Sequence, residues 1–394
     1  MIRPRLRPGA GIAAAAVLAL LLPQGTVLAQ DASPVLEVAV PPGPPAASAA
    51  GLGLPPGIRL ALVEGGSGQT LVARGETERR PVASAIKLVT ALVVTEEIPP
   101  GTWITVGEEV TGVEGSSYGL QPGEVRSVED LLAGLLLRSG NDAAVALAVA
   151  TAGSEEAFVG RMETALAAMG IEARPGSSSG LDPEDALSAN DLATVARVAL
   201  REPRIRTLVA ATLLEVDGVE IENRNLFLGD IPGATGLKTG FTSAAGFTLA
   251  ASARRDGREL VAVVLGAADD LERRTAASAL LEYGFNATVP VTLEETLTLR
   301  TSSGPVLLST SPVLITVREG QETGVAWPQR IRPDGVPDTV GVLVDGIAAG
   351  SVELERRDGR RTDGSLSLGR ALADGAYAAL RPVGLGGEAP APLR

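Results

Sequence analysis

Apolar positions along the chain change their period several times, and each change marks an element. Ile58 to Val63 runs Ile-Arg-Leu-Ala-Leu-Val, and Thr70 to Ala73 follows the turn Gly65-Gly66-Ser67-Gly68. Two short apolar runs around a glycine turn predict paired strands. From Ser84 to Glu97 the positions Leu88, Val89, Ala91, Leu92, Val93 and Val94 leave no polar stripe, which predicts a buried helix ended by Pro99-Pro100. Val113 to Leu120, with Gly115-Ser116-Ser117, reads as a loop. Ser127 with Asp130 three residues on reads as a capping box that starts a helix through Leu131, Leu132, Leu135 and Leu136 to Arg138. Gly140 stops that helix, and Asp142 is expected to cap the next, Ala143 to Ala150. Ser139 and Asn141 then lie in a tight corner between two buried helices. Glu155 to Met169 predicts a further amphipathic helix, and Pro175 to Ala186 a loop with Ser177-Ser178-Ser179-Gly180. Ser188 with Asp191 is a second capping box, for a helix to about Leu200, and Thr212 to Glu222 alternates around Asp217-Gly218 as a hairpin.

The sheet resumes at Lys238-Thr239-Gly240, with Phe247 to Ala253, the turn Asp256-Gly257, Glu259 to Gly266, and a closing helix from Leu271 to Tyr283. Residues 57–285 therefore read as one α/β domain, a sandwich of an antiparallel sheet with helices. From Asn286 the period changes. Val289 to Leu299, Pro305 to Val317, Gly341 to Val344 and Ile347 to Leu354 alternate, separated by turns such as Asp345-Gly346 and Asp358-Gly359. Residues 286–383 are expected to form a small all-β domain, followed by a loose tail over 384–394 without an amphipathic anchor.

At the other end, Arg3, Arg5 and Arg7 precede the apolar run Gly11 to Leu22 and the small-residue site Val27-Leu28-Ala29. Residues 1–29 are expected to be a cleaved secretory signal; the alternative is an uncleaved anchor, but the apolar run of about a dozen residues is short for the roughly 20 of a membrane span. Residues 30–56, with Pro41-Pro42-Gly43-Pro44-Pro45, read as a linker. No later stretch is long and apolar enough to span a bilayer, so the mature chain is expected in a periplasm or an outer cell wall.

Composition then restricts the chemistry. The 394 residues include no histidine and no cysteine. A Ser-His-Asp triad, thiol catalysis, disulfides and cysteine metal sites are excluded, and no cofactor or metal is expected. The net charge is −13, or −13 − 3 = −16 without the three arginines of residues 1–29, which argues against nucleic acid as a partner. Of 34 Lys and Arg only Lys87 and Lys238 are lysine, so 34 − 2 = 32 are arginine. An amine is retained only where a guanidinium does not serve: burial can turn lysine into a neutral base, and arginine cannot follow.

Both lysines have informative neighbours. Lys87 stands three residues after Ser84, which places hydroxyl and amine on one helix face, with the Ser84 N–H free in the first turn. Lys238 opens Lys238-Thr239-Gly240, and Ser139-Gly140-Asn141 lies between them. Ser-x-x-Lys, Ser-x-Asn and Lys-Thr-Gly, in that order, are the signature of the penicillin-recognising serine acyltransferases. With Pro122-Gly123-Glu124, Gly180-Leu181-Asp182, Asn223-Arg224-Asn225 and Gly236-Leu237-Lys238-Thr239-Gly240-Phe241-Thr242, residues 57–285 resemble the D-alanyl-D-alanine carboxypeptidases among the low-molecular-mass penicillin-binding proteins.

That resemblance implies roles. Ser84 would attack the bond between two D-alanines and Lys87 would take its proton. Ser139 would pass a proton to the leaving nitrogen, and Asn141 would hold the substrate backbone or Lys87. Lys238, Thr239 and Gly240 would bind the terminal carboxylate end, with Arg224 a second contact, and the N–H groups of Ser84 and Phe241 would form an oxyanion hole. The implied partners are peptidoglycan stem peptides ending in D-Ala-D-Ala, with β-lactams as covalent inhibitors. Val82, Ile86, Ser179 and Phe241 depart from the family's common residues. A class A-like β-lactamase is the nearest alternative, lacking its Glu-x-x-Leu-Asn here, although Glu155, Glu156 and Glu184 stay open. A non-catalytic wall-binding module, or a Ser-Lys esterase or amidase, are the others.

Overall fold

The computed structural model describes residues 47–301 except Ser67, and beyond them 304–310, 313–318, 320–326, 339–356 and 379–380. Its centre is a sheet of six strands: β1 (Ala47–Ser48), β2 (Arg59–Glu64), β3 (Thr70–Arg74), β4 (Ala234–Thr242), β5 (Gly246–Arg255) and β6 (Arg258–Ala267). The order across the sheet is β1-β3-β2-β6-β5-β4, antiparallel except for the β1–β3 pair. Val261 opposite Val63 and Val263 opposite Ala61 join the two halves of the chain.

Both faces of this sheet are covered, which is why its central strands read as continuous apolar runs. Ala61, Val63, Ala250, Val261, Val263 and Leu265 point into one core, and Leu60, Leu62, Leu249, Ala251, Leu260, Ala262 and Val264 into the other. Six helices fill the first face: α1 (Lys87–Glu97), α2 (Val128–Leu136), α3 (Asn141–Ala152), α4 (Glu155–Ala168), α5 (Ala189–Ala199) and α6 (Pro203–Ala210). The helix α7 (Asp270–Ala287) covers the second through Ala276, Ala277, Leu280 and Leu281. The chain thus adopts the expected α/β sandwich. Burying each such leucine contributes about 1.5–3 kcal/mol before conformational entropy is charged against it.

Several expectations need correction. The linker expected over 30–56 is too long at its C-terminal end. Ala47 and Ser48 pair with Val72 and Ala73, Ala49 is buried, and Leu52 and Leu54 pack on the α7-side core while Arg74 donates to the Leu54 and Pro55 carbonyls. Ser127 does cap α2, accepting from the Asp130 N–H at 3.1 Å, but Asp130 does not return the bond. Its carboxylate is taken by the Tyr118 hydroxyl at 2.5 Å and by Arg126 at 3.3 Å. Asp142 does not cap α3, which begins at Asn141 with Gly140 at its N-cap. The box at Ser188 and Asp191 forms in both directions. The helix α6 was not anticipated, although Pro203 stands at its first turn, as proline does at helix starts.

Beyond α7 the strands form sheets of their own. The run Val289–Leu299 is two strands, Thr288–Leu293 and Thr296–Thr301, broken at Glu294-Glu295, where the Glu295 N–H donates to Thr310. Pro305–Val317 likewise divides into Gly304–Thr310 and Val313–Arg318, and Thr323–Ala326 adds a strand beside Thr339–Val344 and Ile347–Arg356. Residues 1–46, the turn at Asp358-Gly359 and the tail lie outside the described residues. Among the described residues no single helix is long and apolar enough to cross a membrane.

Candidate active site

Ser84 sits where an extended segment turns into a helix. Arg80 and Pro81 pair with Leu187 and Ala186, and a single 3-10 turn, Ala83–Ile86, then feeds α1 at Lys87. The Val82 N–H donates to the Asp185 carbonyl at 2.9 Å, and the buried Thr248 hydroxyl donates to the Val82 carbonyl at 3.0 Å. Two glycines let bare backbone lie against Ser84. A Cβ on Gly180, whose φ is +89°, would overlap the Ala83 carbonyl and come within 2.8 Å of the Ser84 nitrogen. One on Gly240 would come within 3.0 Å of the same nitrogen.

One turn on, Lys87 is 0% exposed, and its Nζ lies 2.9 Å from Ser84 Oγ, as the spacing of three predicts. Its other neighbours are Asn141 Oδ1 at 2.7 Å and the Ser179 carbonyl at 2.5 Å. Burial pushes the Lys87 amine well below its ordinary pKa, and the Lys238 charge pushes the same way, while Asp185 and Asp142 oppose them.

Ser139 and Asn141 occupy the corner between α2 and α3, as expected. Ser139 takes a left-handed φ of +61°, and the Gly140 N–H donates to the Gly134 carbonyl at 2.9 Å. Asn141 is fixed twice from the preceding loop: its N–H donates to the Ser116 carbonyl and its Nδ2 to the Glu114 carbonyl, each at 2.7 Å. Since Nδ2 faces a carbonyl, Oδ1 must face Lys87. Asp142 pins the same loop, accepting from Ser117 Oγ at 2.6 Å and from the N–H groups of Tyr118, Gly119 and Leu120 at 2.8, 2.8 and 3.1 Å. Burial alone would raise its pKa, but these four donors outweigh it and the carboxylate is held below its usual range.

Across the cleft, Lys238 projects from β4, the edge strand, and is 2% exposed. Its Nζ donates to Ser139 Oγ at 2.9 Å and to the Thr239 carbonyl at 3.0 Å. Burial, then the Arg273 and Arg224 charges, bring its pKa down to about 7. Behind β4, Arg273 of α7 donates to the carbonyls of Gly240 at 2.8 Å and Thr248 at 3.0 Å. A cavity of about 420 Å³ opens at Ser84, lined also by Ser117, Asn141, Leu181, Arg224 and Phe241, with Phe241 56% exposed and its ring 4.4 Å from that of Phe247.

Of the nine residues singled out from sequence, eight meet around this cleft, and Thr239 contributes its backbone carbonyl to Lys238. Ser84, Lys87 and Asn141 form one contact group and Ser139 with Lys238 another, while Arg224 and Phe241 wall the cleft and Gly240 backs Ser84. What the sequence reading missed is mostly backbone. The Ser179 and Glu114 carbonyls hold the amine and the amide, and a carbonyl carries no residue-type signature. Arg273 and Asp185 were also missed.

A serine hydroxyl against a buried lysine, in an α/β sandwich whose edge strand carries a second buried lysine, is the arrangement of the penicillin-binding-protein fold. The chain belongs to the D-alanyl-D-alanine carboxypeptidase family, whose model matches residues 59–269. It is 36% identical over 277 residues to D-alanyl-D-alanine carboxypeptidase DacD of Salmonella typhimurium, covering 66% of this chain and 69% of that one. With DacD of Escherichia coli the identity is 37% over 238 residues, covering 57% of this chain and 61% of the relative. Among solved structures, penicillin binding protein 6B from Escherichia coli superposes with a TM-score of 0.61 at 29% identity, covering 80% of this chain and 98% of that chain.

Proposed function

We propose that the chain is an exported serine D-Ala-D-Ala carboxypeptidase that trims peptidoglycan stem peptides and is acylated at Ser84 by β-lactams. One observation carries this reading: the Lys87 amine stands 2.9 Å from Ser84 Oγ while its other two neighbours are carbonyl oxygens. Carbonyls only accept. A neutral amine gives its two N–H groups to Asn141 and Ser179 and is left with its lone pair toward the Ser84 hydroxyl. That is the orientation of a general base.

The remaining groups take the roles the chemistry asks of them. Ser84 Oγ adds to the penultimate D-alanine carbonyl as its proton passes to Lys87. The backbone N–H groups of Ser84 and Phe241 stabilise the oxyanion, a role supported by the close approach of the Gly240 backbone to the Ser84 nitrogen. Ser139, bridged to Lys238 at 2.9 Å, hands a proton to the departing D-alanine nitrogen. Lys238 and Thr239, with Arg224 along the wall, hold the terminal carboxylate. Water then releases the acyl-enzyme. The β-lactamase reading loses support at Glu155, which accepts from the Ser178 N–H at 3.0 Å and hydroxyl at 2.6 Å and is committed to that loop. Buried, hydrogen-bonded amines beside a hydroxyl also serve no purpose in a wall-binding module. The strands beyond α7 are assigned as a spacer or docking module over 286–383.

Time-resolved intact mass after adding penicillin, with Ser84→Ala alongside, tests the reading. The expected result is a long-lived adduct at Ser84, absent from the variant, together with release of D-alanine from a stem pentapeptide. Rapid turnover of penicillin would favour the β-lactamase, and no adduct at all would leave the binding module.

A further inference from the structure

The loop from Gly176 to Asp185 closes on itself, and Asp185 is its fastener. The fully buried Asp185 carboxylate accepts from the Gly176 N–H at 2.9 Å, the Ser177 N–H at 3.1 Å and Ser177 Oγ at 2.6 Å. Its backbone carbonyl accepts from the Val82 N–H at 2.9 Å, two residues ahead of Ser84. Ser177 Oγ in turn accepts from the Gly180 N–H at 2.9 Å. Drawn tight in this way, the loop turns two carbonyls toward α1: Ser178 takes the Thr90 hydroxyl at 2.7 Å, and Ser179 takes the Lys87 amine at 2.5 Å.

We propose that Asp185 is a positioning residue for Lys87: its carboxylate closes the loop whose carbonyl grips the amine, and it places a fixed negative charge beside the catalytic pair. This rests on the reading of Lys87 as the base. Every partner of the carboxylate is a donor, the arrangement of an ionised group. Burial outweighs the Ser177 and Gly176 donors, so the Asp185 carboxyl is raised above its ordinary value, with Asp182 pushing the same way. The charged groups that bear on Lys87 are Lys238 from β4, which disfavours the ammonium, and Asp185 and Asp142, which favour it. Asp142 of α3 is spread over four donors on the Ser117–Leu120 loop, and Glu155 of α4 is bound to Ser178, so Asp185 is the carboxylate that closes the loop whose Ser179 carbonyl holds Lys87.

The test is the rate of acylation by a fluorescent penicillin from pH 5 to 9 in the full chain, in Asp185→Asn and in Ser177→Ala. Asparagine keeps an acceptor for the two N–H groups and removes the charge. The ammonium then loses support, so the acid-side limb moves to lower pH by roughly half a unit or more while the plateau changes by less than about threefold. Ser177→Ala keeps the charge and loosens the loop, so its plateau falls several-fold and its limb does not move down. A limb unmoved in Asp185→Asn, or moved down in both variants, overturns the inference while leaving the acyl-enzyme reading intact. Should Asp185→Asn not fold, a downward limb in Ser177→Ala alone overturns it. Absence of acylation in the parent chain removes both readings together.

Discussion

Asn141 offers its side-chain oxygen to the Lys87 amine at 2.7 Å while its amide nitrogen is tied to the Glu114 carbonyl at 2.7 Å. The amide therefore cannot flip, and one acceptor for the lysine has a fixed direction. Asn141→Ala leaves the amine with the Ser179 carbonyl alone and frees its lone pair to swing away from Ser84. Acylation by penicillin is expected to fall on the order of 10–100-fold, less than the roughly 10²–10⁴-fold weight of the general base that Asn141 orients. Stopped-flow acylation rates, with circular dichroism to confirm the fold, check this.

Lys87→Arg places a permanent positive charge where the proposed mechanism uses a neutral amine. A guanidinium stays protonated at any working pH and has no acceptor to turn toward the Ser84 hydroxyl. The expected loss of acylation is about 10²–10⁴-fold, read by intact mass over hours. Full activity in this variant would end the role given to Lys87.

The site was legible from sequence where function demands a particular side chain. Two lysines in a chain of arginines, one three residues after a serine, were enough to bring the Ser84 hydroxyl and the Lys87 amine together. The sheet was legible because both faces are buried, so Leu60-Ala61-Leu62-Val63 needs no alternation to be recognised. What escaped were contacts made by groups every residue has. Nothing in the letters Ser177-Ser178-Ser179 says which carbonyl meets Lys87, and Asp142 reads as a helix cap until the loop that it holds is in place. Residues 47–56 were mistaken for linker because their apolar anchors, Leu52 and Leu54, are diluted by glycine and proline.

Lys238 gives a pH dependence of opposite sign to that of Lys87. Binding a terminal carboxylate needs the ammonium, and burial brings its pKa down to about 7 in the unliganded site. Below that pH the site is charged; above it the proton is lost and carboxylate substrates bind less well. The value of kcat/KM for a D-Ala-D-Ala peptide is therefore expected to decline above roughly pH 7. Lys238→Arg, which keeps its charge, should remove that decline even where it lowers the maximum, and a decline that persists in the variant would assign it elsewhere.

Gly180 is held at a φ of +89°, and a methyl group there would press on the Ala83 carbonyl and the Ser84 nitrogen. Both effects oppose Gly180→Ala: an unfavourable backbone region and an overlap with main chain that cannot swing aside. The variant is expected to lose roughly 1–3 kcal/mol of stability and most of its acylation rate. Thermal unfolding with acylation kinetics on the same samples separates the two. A variant that unfolds normally and acylates at the parent rate would mean that the loop does not sit against Ser84.

The two buried lysines also fix the sign of stability against pH. Both have folded-state values depressed below the ordinary 10.5, Lys238 to about 7 and Lys87 well below its normal value. Between the folded and unfolded values the unfolded chain binds more protons, so stability rises with pH through that window and is lost as pH falls. Each lysine adds a slope of up to about 1.4 kcal/mol per pH unit. Unfolding by urea between pH 7 and 9.5 should show this rise, in a range that ends before the half-buried Tyr118 phenol, whose pKa is raised, reverses the trend. Lys238→Met should flatten the slope by close to one proton and make the protein more stable at pH 7 than its parent. A slope unchanged in Lys238→Met would show that this amine is charged in the folded protein, and the pH limb assigned to it would go as well.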